Sequence, residues 1–159
     1  MTEPIVVERL LDTNTEETFA LLTEPERLRR WLAVSASVDL RVGGDYRFLC
    51  VPGHAALGQV TELDPGKRVV YSWGWHGDEE IPPGSTSLIV ELEPEGDRTR
   101  VRFTHEGLVG TWAERHLDGW NEHLDRLVEG DVIGRLQRVD GNAVARQQTV
   151  HDQLLVDGV

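Results

Sequence analysis

Residues 14–32 read NTEETFALLTEPERLRRWL, two short helix-forming segments set end to end, and this run limits the fold more than any other stretch. Asn14 with Glu17 three residues later is a capping-box-like start, in which side chains satisfy backbone N–H groups that have no partner inside the first turn. Phe19 and Leu22 then share one face, and the first helix is too brief to continue past Pro25. Thr23 with Glu26 repeats the start signal, Pro25 lies in the first turn where its missing N–H costs little, and Leu28, Trp31 and Leu32 supply an apolar side. The preceding residues 4–11, PIVVERLL, are rich in β-branched side chains and predict a strand.

From Ser37 onward the apolar period changes to two. Four or five segments read as antiparallel strands, separated by turn residues at Gly43-Gly44, Pro52-Gly53, Asp64-Pro65-Gly66, Pro82-Pro83-Gly84 and Glu95-Gly96-Asp97. Alternation puts Val69, Tyr71, Trp73 and Trp75 on one side, as it does Leu88, Val90 and Leu92, and then Val101, Phe103 and His105. The intervening positions, among them Arg68, Ser72, Glu91 and Arg102, are mostly polar, so one face of the sheet is wet and the other is covered. The cover is a helix predicted over residues 111–129: Trp112, His116 and Trp120 recur at i, i+4 and i+8, and Leu117, Leu124, Leu127 and Val128 widen the stripe. Gly119 interrupts it at about 1 kcal/mol relative to Ala, which predicts a kink or a close backbone approach. Beyond Gly130 the pattern weakens to a turn at Asp140-Gly141-Asn142 and a modest helix. Residues 1–130 are therefore assigned to one domain of the α+β class and 131–159 to a C-terminal extension.

A chain of 159 residues can bury roughly 70% of its unfolded surface, enough for one core. The net charge of -12 argues against nucleic acid, whose binding depends on Lys and Arg displacing counterions. Cys50 has no partner for an internal disulfide and reads as a small buried residue rather than a nucleophile. The N-terminus lacks a basic n-region, and no apolar run approaches the ~20 residues that span a bilayer. The expectation is a cytoplasmic protein without a membrane span.

Several segments resemble the family of activator-of-heat-shock-protein-ATPase homologues, within the helix-grip superfamily of START-like, birch-pollen-allergen-like and polyketide-cyclase-like proteins. They are the text at residues 20–25 and 29–31, GG-x-Y-R-F at 43–48, G-x-V-x-E-x-D-P-x-x-R-x-x-Y-x-W at 58–73, L-x-P-E-G-x-x-T-R-V-x-x-T-H at 92–105 and H-x-x-G-W at 116–120. The resemblance covers about residues 5–130. It implies a curved antiparallel sheet wrapped around a long C-terminal helix, with a hydrophobic cavity between them. Fold alone does not choose among the lipid carriers, receptors, cyclases and co-chaperone pieces of this superfamily. The co-chaperones that give the family its name carry a further chaperone-binding domain for which 159 residues leave no room, so a chaperone-ATPase-regulating module ranks last among the expected roles.

The residues themselves suggest a small hydrophobic or aromatic ligand. Five tryptophans are many for this length, and aromatic rings suit both a ligand cavity and ordinary packing. The candidate ligand-binding set is Trp31, Tyr71, Trp73, Trp75, Phe103, His105, Trp112, His116 and Trp120. His105 and His116, lying in apolar stripes, are also candidates for an acid and base pair in a cofactor-free cyclase or dehydratase, with Arg47 neutralising a carboxylate or enolate if it points inward. The competing reading is a histidine held by a backbone carbonyl. The six histidines form no metal-ligand spacing, and the cluster His76, Asp78, Glu79, Glu80 reads as a solvated loop. No phosphate-binding, dinucleotide or nucleophile-elbow motif occurs, so no cofactor is expected. An exposed strand or an apolar tail edge would make a homodimer unsurprising.

Overall fold

A computed structural model describes residues 4–51 and 54–139. The turn at Pro52-Gly53, the turn at Asp140-Gly141-Asn142 and the modest helix after it lie outside the described residues. The chain runs β1 (Ile5–Leu11), α1 (Thr15–Thr23), α2 (Pro25–Leu28), β2 (Ser35–Val38), β3 (Asp45–Val51), β4 (His54–Asp64), β5 (Arg68–Trp73), β6 (Thr86–Glu95), β7 (Arg98–Glu106) and α3 (Thr111–Val139). The seven strands form one antiparallel sheet in the order β1-β7-β6-β5-β4-β3-β2. Six strands therefore follow the short helices, where the pattern suggested four or five. The strand most easily missed is β2, an edge of four small residues, SASV, with little hydrophobic alternation.

Asn14 caps α1 as expected, its Oδ1 accepting from the Glu17 N–H at 2.8 Å. Thr23 does not cap α2. Its hydroxyl is buried and donates to the Phe19 carbonyl at 2.7 Å, which makes it the last residue of α1, and Glu24 starts α2 without a side-chain cap. α3 runs through Gly130 to Val139, longer than the 111–129 predicted.

Register shifts between Leu49 and Val51 and between Val60 and Glu62 bend β3 and β4. The concave face so formed carries Val69, Tyr71, Trp73, Leu88, Val90, Leu92, Val101, Phe103 and His105, all buried on the sides that alternation assigned. α3 lies against this face with Trp120, Leu124 and Leu127 buried at i, i+4 and i+7. The opposite face is wet. Across it Arg68, Glu91, Arg102 and Glu8 occupy successive register positions, and Arg68 pairs with Glu91 and Arg102 with Glu8 at 2.8 Å. Such exposed pairs contribute about 0.2–1 kcal/mol each, so the fold rests on the concave side. Arg9 on β1 reaches over to α3, bonding Asn121 Oδ1 and Asp125 Oδ1 at 2.9 Å, and fixes the helix to the sheet edge.

Candidate site between the sheet and the long helix

Sheet and helix do not close completely. A cavity of about 600 Å³ lies between them, walled by Trp73, Trp75, Trp112 and Trp120. On α3 the lining positions are Trp112, Arg115, His116, Gly119, Trp120 and His123, one stripe of the helix whose twelve-residue span is about 16 Å long. Leu32, Cys50, His54, His76, Gly77 and Asp78 complete the lining.

Two segments shape the mouth. β5 stops at Trp73, and Gly74 lets the chain turn, since a Cβ there would stand 1.9 Å from the Pro82 carbonyl oxygen. Trp75 then bridges Ala56 and sets its ring at 89° to Trp73. Asp78 closes the loop by accepting the N–H groups of Glu80 and Ile81 at 2.8 Å, and Glu80 accepts the Trp112 indole N–H at 2.6 Å. This acidic loop, read from sequence as merely solvated, is tied to the helix. No close backbone approach explains Gly119: outside its own stretch of helix no atom lies within 4 Å of a Cβ placed there, and the missing side chain is part of the open space.

The hydrogen bonds decide the state of each imidazole. The Thr86 hydroxyl donates to the Trp73 carbonyl at 2.9 Å and so accepts from His105 Nε2–H, also at 2.9 Å, while His105 Nδ1 accepts the Trp120 indole N–H at 3.0 Å. His105 is a neutral ring with both nitrogens engaged and 1% of its surface exposed; burial, aided by neighbouring His116, pushes its pKa down to about 3. His116 is the mirror case. It accepts the Trp75 indole N–H on Nε2 at 3.0 Å and gives Nδ1–H to the Trp112 carbonyl at 2.8 Å. Burial lowers its pKa against the opposing pull of that carbonyl and of Asp78. A tryptophan on the sheet side thus binds a histidine on the helix, and a tryptophan on the helix binds a histidine on the sheet.

His123 differs. Arg126, which can only donate, lies 2.7 Å from His123 Nδ1, so that nitrogen carries the lone pair and the proton sits on Nε2. The longer 3.2 Å approach of Nδ1 to the Trp31 carbonyl is then not a hydrogen bond; Arg126 Nε serves that oxygen at 3.4 Å. Burial and then Arg126 hold the His123 pKa down to about 4. Burial pushes the Cys50 thiol up to about 12, so it stays protonated beside the cavity. His116 and His123 therefore meet the cavity as neutral rings, and Asp78 and Arg115 also lie on its lining.

Of the residues singled out from sequence, Trp73, Trp75, Trp112, His116 and Trp120 border this cavity. The others lie off its lining. Trp31 plugs the corner after α2, giving its indole N–H to the Leu21 carbonyl at 2.9 Å and packing on Phe103. Tyr71 is enclosed by Tyr46 and Phe48, Phe103 lies behind Trp120, and His105 is sealed by its bonds to Trp120 and Thr86. Arg47 is exposed on the outer face, because Tyr46 and Phe48 take the inward positions of β3. The rings of His105 and His116, the expected acid and base pair, are 5.1 Å apart; only His116 meets the cavity, and both its nitrogens are hydrogen-bonded within the protein. His123, three residues past Trp120 and seven past His116, was legible as part of the same helical stripe.

Among the described residues no group of three or more His, Cys, Asp or Glu side chains could hold a metal ion, and no helix is long and apolar enough to cross a membrane.

The sequence pattern of the family described as activator of Hsp90 ATPase homolog 1-like protein matches residues 12–129. A search of curated proteins finds no match. Among solved structures, a protein from Mesorhizobium loti is 22% identical with a TM-score of 0.73, over 87% of this chain and 99% of that one. The Aha1 dimer from Colwellia psychrerythraea is 24% identical with a TM-score of 0.71, over 80% and 95%. DynU16, from the dynemicin biosynthetic locus, is 18% identical with a TM-score of 0.71, over 81% of this chain but only 47% of its own, so the chain spans about half its length. At these identities the likeness is one of fold.

Proposed function

This chain belongs to the activator of Hsp90 ATPase homolog 1-like family, and from that premise we propose that it binds a small, flat, hydrophobic or aromatic molecule in the cavity between sheet and α3. The observation that carries the reading is the chamber of about 600 Å³ walled by four tryptophans. Three of their indole N–H groups are spent inside the protein, those of Trp75, Trp112 and Trp120, so the rings offer mainly apolar surface to a guest. A volume of this size lies in the range of small-molecule sites. The residues proposed to meet the ligand are Trp73, Trp75, Trp112, His116 and Trp120.

Titration with a panel of lipids and polyphenols tests this. The expected results are quenching of tryptophan fluorescence and a rise in melting temperature with at least one compound, and native mass spectrometry of gently purified protein should retain a small molecule. Indifference to the whole panel would overturn the reading. The family's description supports a second reading, regulation of an Hsp90-type ATPase, for which retention of such an ATPase in a pull-down is the test.

A further inference from the structure

The cavity leaves few hydrogen-bonding groups free, and their kind restricts what it can hold. The indole N–H groups of Trp75, Trp112 and Trp120 are donated to His116, Glu80 and His105, and both nitrogens of His116 are used. The Trp73 indole N–H has no partner, but that atom is closed off from the cavity. Cys50 turns its thiol toward the Phe48 carbonyl at 3.8 Å. Three lining imidazoles keep a ring nitrogen without a hydrogen-bond partner among the described residues: the exposed His54 and His76, and the half-buried His123, whose free group is Nε2–H.

That N–H is specified as a donor. The guanidinium of Arg126, at 2.7 Å, occupies the other nitrogen, fixes the proton on Nε2 and draws electron density through the ring, which strengthens Nε2–H toward an incoming oxygen. The ring cannot turn acceptor without losing Arg126, so a ligand that presents a donor here would leave two buried donors opposed. Resting on the reading of the cavity as a ligand site, the geometry points to His123, backed by Arg126, as the anchor for the carbonyl oxygen of an aromatic ketone. The ketone oxygen accepts Nε2–H, and the ring system lies along α3 past Gly119 between the tryptophan walls.

The test uses two probes of matched shape, 9-fluorenone and fluorene, which differ in the single carbonyl oxygen. Isothermal titration of the full chain is expected to give fluorenone about tenfold tighter binding than fluorene, and His123→Phe, which keeps a ring but removes the donor, should bring the two within about twofold. Equal binding of both probes to the unaltered protein would overturn the anchor while leaving the cavity reading intact. Binding of neither probe would overturn both. A measurement independent of any variant is long-range ¹H–¹⁵N correlation of the histidine rings. The expected His123 signature is a neutral Nε2–H tautomer whose Nε2–H proton moves downfield with fluorenone and stays put with fluorene; an Nδ1–H tautomer would overturn the proposal.

Discussion

The two ends of the aromatic interior are built from the same residue types and behave oppositely. Beneath Trp120, the rings of Tyr46, Phe48, Tyr71, Trp73, Phe103 and His105 pack on one another with centroids 4.6–6.2 Å apart, and of these six only Trp73 borders the cavity. Nearer the start of α3, Trp75 and Trp112 are held at their edges by His116 and Glu80 and border the cavity with Gly119, the Arg115 guanidinium lying over the Trp112 ring at 5.3 Å. Packing fills the first region; hydrogen bonds to ring edges hold the second apart. A tryptophan therefore signals core or cavity according to which part of it the protein uses.

Truncation separates the two most sharply. Trp120→Ala removes a buried ring and strips His105 Nδ1 of its donor, and is expected to cost about 3–5 kcal/mol in urea unfolding, whereas Trp112→Ala at the mouth should cost under about 1 kcal/mol. Equal losses would erase the distinction.

Acid should act next, through the closed end and the cavity wall alike. His105 has a folded pKa near 3 against an ordinary 6.5, so as pH falls the unfolded chain takes up the proton first. Its contribution is complete above about pH 6.5 and is lost progressively toward pH 3. Between pH 7 and 4.5 that amounts to roughly 3 kcal/mol, with His116 and His123 adding in the same direction. Unfolding curves at the two pH values check this, and His105→Gln should remove about half of the difference, the His123 share remaining; a pH dependence unchanged in that variant would move its origin elsewhere.

The smallest effect concerns Gly119. With nothing within 4 Å of its Cβ position, Gly119→Ala should stabilise the protein by about 1 kcal/mol through helix propensity alone. A loss of stability would mean that a neighbour does press on that position.

Alternation and helical spacing made much of this legible: the Asn14 cap, the buried sides of β5, β6 and β7, and the Trp112, His116, Trp120 stripe. They assign a side chain to a face and say nothing of its depth. His105 and His116 looked equivalent on that criterion, yet Trp120 and Thr86 seal the first and the second borders the cavity. Arg47 could not be placed because alternation separates Arg47 from Phe48 without saying which of them faces inward. Gly119 read as a defect in the helix because a sequence shows a missing side chain and not the space in front of it. Thr23 misled because a buried hydroxyl bonded four residues back and a capping hydroxyl share one residue type.

The central claim is that this space is open and takes a guest. Its most direct test is calorimetric titration of 9-fluorenone into the unaltered chain and into Gly119→Phe, whose ring would occupy the chamber from α3. The account requires saturable one-to-one binding by the first and its loss in a second protein that is folded by circular dichroism. Undiminished binding by the filled variant would contradict it.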